Sequence, residues 1–178
     1  MIDLTRYELP SALLVGGEVF PVDTSFRMWV RFEQLLTKAG VAWDGVFLDR
    51  VPDDPEWLEA AVEFLASENA TPRKSPRSGP KALDLLLDGD YITAAFQQAY
   101  GIDLTSCDMH WHRFKALLNG LPEDTMLSRI MSYRTYERKG KVDREEEMAR
   151  LRDAWALPDE VAERQRQEAL DAFERWAG

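Results

Sequence analysis

The most reactive side chains of the chain lie close together near its middle, in the segment CDMHWHRFKALLNGLP. Cys107 is the only cysteine among the 178 residues, and His110 and His112 are the only histidines. Thiolates and imidazole nitrogens are common zinc ligands, and a cysteine beside a histidine is also a nucleophile–base pair. The segment therefore suggests two kinds of chemistry, a metal site and a covalent catalyst.

The apolar residues of this segment recur at helical spacing, namely Trp111, Phe114, Leu118 and Leu121. Residues at i and i+2 of a helix do not face one another, so His110 and His112 cannot share a metal there. His112 is expected about 160° from Phe114, on the polar face and in solvent. His110 is expected at the edge of the core with one ring nitrogen satisfied.

Cys107 and His110 share a face of this predicted helix. A structural zinc site needs four protein ligands and a catalytic one three, but the chain has no third histidine and no second cysteine. No third group is evident that would orient the base of a Cys–His pair. We therefore interpret the segment as a packed helix. A metal-dependent enzyme that uses Cys107, Asp108 and His110 is the least favoured function.

The composition describes an acidic chain with enough apolar residues to form a core. Its 22 Lys and Arg against 32 Asp and Glu give a formal charge of −10, and 45% of its residues are hydrophobic. Binding to nucleic acid requires a basic face, so we expect no nucleic-acid partner. No stretch approaches the ~20 apolar residues of a membrane span, and no secretory leader is visible. The single cysteine fits a reducing compartment, so we expect a cytoplasmic protein without membrane contact.

Turn and cap residues predict a mainly α fold, a compact bundle of about six or seven helices with a small N-terminal β-hairpin. Gly16-Gly17 between two short apolar runs predicts the hairpin, over about residues 10–23. The helices are predicted within residues 25–40, 52–69, 87–104, 107–122, 122–137, 143–157 and 159–176. We divide the chain into a helical domain, residues 1–140, and a charged C-terminal helical arm, residues 141–178.

The remaining charged clusters are interpreted as structural. Asp53-Asp54 and the pair Asp88 and Asp90 lie where helix caps are expected, and Glu145 to Glu147 predict a solvated helix face. The basic segment Thr71 to Lys81 is typical of a solvated loop. No phosphate-binding glycine loop, hydrolase elbow or zinc-protease motif occurs. We therefore expect no catalytic residue, no metal and no cofactor.

The C-terminal arm carries a narrow aromatic seam in an otherwise charged sequence. Such a stripe is usually part of a core, but at the end of a chain it is also a docking or oligomer contact. We therefore predict Trp155, Phe173 and Trp176 as partner-binding residues. The sequence leaves a homo-oligomer open.

Three segments resemble the bacteriophage family described as gene product fifteen. They are FRMWVRFEQLL (Phe26 to Leu36), YITAAFQQAYGIDL (Tyr91 to Leu104) and MHWHRFKALLNGLPEDTMLSRIMSYRTYE (Met109 to Glu137). The resemblance covers most of residues 8–140, whereas the basic loop and the arm after Lys139 match less well. It implies a small, mainly helical phage or prophage protein from the tail-morphogenesis region.

The function that this resemblance implies is that of a tail assembly chaperone. Such a protein keeps the tape-measure protein soluble in the bacterial host cytoplasm while tail-tube subunits polymerise around it. No catalytic residues carry over from the family. The alternative is a structural tail component of the virion, which has the same sequence signature.

Overall fold

The computed structural model describes residues 8–40, 43–66, 80–137, 143–159 and 161–162. The strands in these ranges are β1 (Ala12–Val15) and β2 (Glu18–Pro21). The helices are α1 (Phe26–Ala39), α2 (Trp57–Ala66), α3 (Gly89–Tyr100), α4 (Trp111–Asn119), α5 (Met126–Arg134) and α6 (Asp143–Trp155). The predicted mainly α fold with an N-terminal hairpin is confirmed. Most of the last predicted helix, over residues 159–176, lies outside the described residues.

The hairpin forms because two consecutive glycines allow its tight turn. Gly16 and Gly17 both adopt positive φ, 57° and 84°, which a two-residue hairpin turn of this kind requires. The strands are antiparallel, and Pro21, which has no N–H to donate, is the last residue of β2. The inner side of β1 packs against α2.

The first turns of α1 and α4 supply hydrogen-bond partners to each other. Initial N–H groups of a helix have no acceptor within the helix itself. The N–H of Phe26 donates to the carbonyl of Met109 at 2.8 Å, and the N–H of Trp111 donates to the carbonyl of Thr24 at 2.7 Å. This reciprocal pairing fixes the start of α4 beside the start of α1.

The chain forms two compact units, and their boundary falls inside α3. The first unit takes in the described part of residues 1–72 together with Phe96–Leu121. The second takes in the described part of residues 73–95 and of the chain from Pro122 onward. The arm over residues 141–178 stays a prediction as a separate domain, because little beyond α6 is described in that range.

The core of the first unit is built from stacked aromatic rings. The ring of Phe114 stacks on Phe26 at a centroid distance of 4.8 Å and on Phe96 at 5.3 Å. Trp29 stacks on Phe64 at 4.3 Å. All five side chains are buried, and they lie on the apolar faces of α1, α2, α3 and α4.

The core of the second unit uses one face of α5. Leu127, Ile130 and Arg134 follow one another at helical spacing and are all buried. Met126, the first residue of α5, is 41% exposed. Its position one residue before Leu127 turns it roughly 100° away from that face.

Helix α6 packs against α5 through a half-buried seam that includes Met148 and Leu151. Glu145 was predicted in a solvated face, but it is only 7% exposed, and this prediction is wrong. Glu145 lies three residues before Met148, so the helical period carries it to the packed side. Glu146 and Glu147 are exposed as predicted.

A buried ion pair joins three segments of the second unit. The guanidinium of Arg134 contacts both carboxylate oxygens of Asp88, at 2.6 and 2.9 Å. Arg134 also donates to the carbonyls of Ala82 and Trp155, at 3.1 and 2.7 Å, and Asp88 accepts the N–H of Asp84 at 2.9 Å. The carboxylate of Asp88 is thus occupied by these groups and does not cap α3, contrary to the cap interpretation.

Candidate functional site

The three reactive residues of the central segment lie before or within the first turn of α4. Cys107 precedes the helix, His110 is its N-cap residue and His112 is its second residue. The backbone at His110 forms an antiparallel bridge with Ser25, next to the start of α1. The two helix starts therefore position the cluster.

His110 uses both ring nitrogens to hold backbone groups. Its Nδ1 accepts a hydrogen bond from the N–H of His112 at 3.1 Å and so caps α4. Its Nε2 lies 2.8 Å from the carbonyl oxygen of Pro10, and because a carbonyl only accepts, Nε2 carries the proton. Burial lowers the pKa of His110, which favours this neutral tautomer. The sequence predicted one satisfied nitrogen, and the structure engages both.

Cys107 contributes to the structure through its backbone. Its carbonyl accepts a hydrogen bond from Arg27 at 2.8 Å, and Arg27 also donates to the carbonyl of Leu104 at 2.7 Å. Across the described ranges, no three His, Cys, Asp or Glu side chains are grouped so that they could hold a metal ion. The hydrogen bonds of this cluster thus connect backbone segments to one another.

His112 is buried, and the prediction that it lies in solvent is wrong. Its side chain is 5% exposed, and its ring packs on Phe64 at a centroid distance of 4.5 Å. Its Nε2 donates to the carbonyl of Phe64, 3.0 Å away. Burial lowers the pKa of His112 from 6.5 to about 4. The helical period placed His112 correctly away from the core stripe, but the end of α2 covers that side of α4.

The first turns of α4 cap the C-terminal end of α2. The indole N–H of Trp111 donates to the carbonyl of Leu65 at 3.0 Å, and the ammonium of Lys115 donates to the same carbonyl at 2.7 Å and to that of Ala66. With His112 on Phe64, donors from α4 reach three of the last carbonyls of α2. The helix dipole also stabilises a cation at this end of a helix. Trp111, His112 and Lys115 therefore hold the start of α4 against the end of α2.

The predicted partner-binding residues of the arm are only partly described. Trp155 is half-buried, with its ring edge on Tyr91 at 5.7 Å, and its carbonyl accepts a hydrogen bond from Arg134. Trp155 therefore also holds the second unit together. Phe173 and Trp176 lie outside the described residues, so the role of all three in partner binding stays a prediction.

Pairs of large apolar side chains are exposed in both units. Leu14 and Val19, which face each other across the hairpin, are 66% and 68% exposed. Leu86 and Leu87, in the turn before α3, are 62% and 51% exposed. Single exposed apolar residues are ordinary, whereas contiguous exposed apolar patches mark interaction surfaces. The sequence pattern alone did not indicate that these four residues are exposed.

The Leu86–Leu87 turn is held by the buried polar network of the second unit. One carboxylate oxygen of Asp84 accepts the N–H groups of Leu86 and Leu87, each at 3.0 Å. Asp84 is in turn bonded to Asp88 through its own N–H. The turn therefore presents its two leucines from a fixed backbone.

No helix within the described ranges has the length and apolar character that crossing a membrane requires.

The comparisons with known proteins identify a family but no individual relative. No curated protein and no solved structure matches the chain. The model of the family described as Bacteriophage Gp15 protein matches residues 49–157, more than half of the chain. This range contains two of the three resembling segments and extends through α6. The chain therefore belongs to the bacteriophage Gp15 protein family.

Proposed function

We propose that this phage protein is a tail assembly chaperone that binds the tape-measure protein and keeps it soluble until the tail-tube subunits enclose it. It acts by binding alone, without a cofactor, in the cytoplasm of the bacterial host. Membership of the Gp15 family supports a role in a phage. The step in tail assembly is the one that the family resemblance implies.

One structural contrast carries the proposal. The side chains suited to chemistry are used for structure, since His110 and His112 both bond to backbone carbonyls. Large apolar side chains, in contrast, are left in solvent at Leu14, Val19 and the Leu86–Leu87 turn. A surface of this kind is suited to holding another apolar surface.

The charge of the chain fits the same role. A long helical protein that awaits assembly exposes apolar stripes that would otherwise aggregate. A partner that covers such stripes and carries a net charge of −10 keeps the complex in solution by mutual repulsion. Binding of this kind places an amphipathic helix against an apolar surface of the chaperone.

Removal of residues 163–178 is expected to reduce co-purification with the co-expressed tape-measure protein of the same phage by about tenfold or more, because it removes Phe173 and Trp176. The helix α6 remains, and with it the contacts of Trp155 to Tyr91 and Arg134. The amount of tape-measure protein retained on the tagged chain, measured by quantitative mass spectrometry, checks this.

A point variant separates the aromatic contacts from the length of the chain. Replacing Phe173 and Trp176 by serine should have the same effect as the truncation, whereas replacing the polar Gln167 by serine should leave retention unchanged. Undiminished retention by both the truncated chain and the double variant would remove the arm from the account. A deletion that starts at residue 143 is a poor test, since it also takes away the α6 contacts of the second unit.

A further inference from the structure

The hairpin is apolar on both faces, and one of these faces is open to solvent. The register places Leu14 opposite Val19 and Ala12 opposite Pro21, and alternation along the strands puts all four side chains on the same side. The other side carries Leu13, Val15 and Phe20, which are buried, and Glu18, which is exposed at the turn end. We call the side formed by Ala12, Leu14, Val19 and Pro21 the outer face.

When one face of an antiparallel hairpin packs on a core, the face that is open to solvent is ordinarily polar, because apolar and polar residues alternate along each strand. Here the side chains at the centre of the outer face are two-thirds exposed, at Leu14 and Val19. The side chains of two directly opposed residues such as Leu14 and Val19 lie about 5 Å apart. The next pair on the same face lies about 7 Å farther along the strands. The distance of about 7 Å along the strands is close to the roughly 6 Å between residues i and i+4 of a helix.

An acidic segment runs beside the hairpin. The N–H of Leu48 donates to the carbonyl of Pro21 at 3.1 Å, and this contact brings the chain after Leu48 to the end of β2. Asp49, Asp53 and Asp54 in that segment are exposed. At the other end of the hairpin, an Asp54 carboxylate oxygen lies 3.5 Å from where a Cβ on Gly16 would be. The border of the hairpin is therefore acidic.

The basic residue of the segment from Leu48 to Asp54 is already neutralised. Arg50 pairs with Glu18 of the hairpin and lies over the ring of Phe20, 4.7 Å from its centroid. The exposed Asp49, Asp53 and Asp54 therefore leave this segment with a net negative charge. A second copy of the chain would bring the same acidic border against this one, and like charges across an interface are unfavourable. Charge thus favours a basic partner over self-association.

We infer that the outer face of the hairpin is the docking surface for an amphipathic helix whose apolar stripe is flanked by lysine or arginine. Leu14 and Val19 contact the stripe, while Asp49, Asp53 and Asp54 contact the basic flanks. The inference deepens the proposed function and rests on it only for the identity of the partner, which would be a basic amphipathic segment of the tape-measure protein. The chemistry of the surface is independent of that identity.

The test uses two synthetic helical peptides with the same leucine stripe, one flanked by lysine and one by glutamate. Fluorescence anisotropy of the labelled peptides measures their affinity for the purified full chain. We expect the lysine peptide to bind and the glutamate peptide to bind at least about tenfold more weakly. Replacing Leu14 and Val19 by threonine, which favours strands, should weaken binding of the lysine peptide by about tenfold or more.

The matched control replaces Met126 by threonine, because it removes an exposed apolar side chain that lies outside the proposed binding surfaces, without changing the charge. Equal loss of affinity in both variants, or no loss in the hairpin variant, would overturn the inference, as would absence of lysine-peptide binding to the unaltered chain. Sedimentation that shows self-association abolished by the hairpin variant would overturn it in favour of a second copy. Since the peptides are not taken from the tape-measure protein, failure here leaves co-purification to decide the proposed function separately.

Discussion

Replacing Arg134 by methionine is expected to lower the free energy of unfolding by about 3–5 kcal/mol, because it leaves a buried carboxylate without its counter-charge. Arg134 and Asp88 are 5% and 2% exposed, so water cannot take the place of the lost partner. The carbonyls of Ala82 and Trp155 lose a donor at the same time. Urea denaturation followed by circular dichroism measures the change.

The control is the same substitution at an exposed ion pair. Arg50 pairs with Glu18 at the surface, where the two side chains are 61% and 64% exposed. Exposed pairs contribute roughly 0–1 kcal/mol, so Arg50→Met should cost at most about 1–2 kcal/mol even with the loss of its position over Phe20. A similar loss of stability at both positions would mean that burial of the pair is not the cause.

A double variant tests whether the two buried charges act as a unit. With Asp88→Leu added to Arg134→Met, neither charge of the pair remains, so the double variant should lose less stability than the sum of its single changes. A loss equal to that sum would show that the two residues contribute independently. It would contradict the reading of the network as one ion pair that ties the turn before α3 to α5 and α6.

Acidification from pH 6.5 to 4 is expected to destabilise the fold through His112 by about 2–3 kcal/mol, beyond what the carboxylates contribute. Burial holds the pKa of His112 at about 4 in the folded chain, against 6.5 for the free group. Between these values the unfolded chain binds a proton that the folded chain does not. The contribution of neutral His112 is therefore complete above pH 6.5 and is lost as the pH falls toward 4.

The surroundings of the ring explain why the charged form is disfavoured. Nε2 already donates to Phe64, and Nδ1 is buried with no hydrogen-bond partner among the described residues, so a proton there would have no acceptor. The neighbouring ring of His110 and the ammonium of Lys115 add to the effect when charged. Stability measured by urea denaturation at several pH values reports this dependence.

Two substitutions assign the pH dependence to one ring. His112→Gln keeps a donor for the Phe64 carbonyl but does not titrate, so it should remove most of the extra slope between pH 4 and 6.5. His110→Asn keeps a good N-cap acceptor for α4 and should leave most of the slope in place. If the His112 variant retained the full slope, the assignment to this ring would be wrong.

Local signals in the sequence were sufficient to predict the secondary structure of the described residues. The turn at Gly16-Gly17 and the left-handed Gly40 after α1 both have the positive φ that their positions predict. The apolar periods of α1, α3 and α4 locate the buried rings of Trp29, Phe96 and Phe114. These features depend on residues within a few positions of one another, so a single sequence contains them.

Contacts between distant segments could not be predicted from the sequence. His112 is buried by Phe64, 48 residues away, and Arg134 pairs with Asp88, 46 residues away. Helical spacing tells which side of a helix a residue occupies, but not which other element covers that side. A solvent-exposed position and a position in contact with another helix therefore give the same sequence pattern around His112.

The candidate docking surface was missed for a related reason. Alternation along the hairpin puts Leu14 and Val19 on one side and Leu13 and Phe20 on the other, and both sides are apolar. The sequence therefore predicts the hairpin but not which of its faces is buried. Only the packing of α2 against β1 decides this, and it leaves Leu14 and Val19 in solvent.

The solubility of the tape-measure protein is the most direct measurement of the proposed role. The tape-measure protein of the same phage is expressed in the bacterial host with and without this chain, and its soluble fraction is determined after centrifugation. We predict that the tape-measure protein becomes soluble only in the presence of the chain and co-elutes with it in size-exclusion chromatography. An unchanged soluble fraction with no co-elution would contradict the chaperone role.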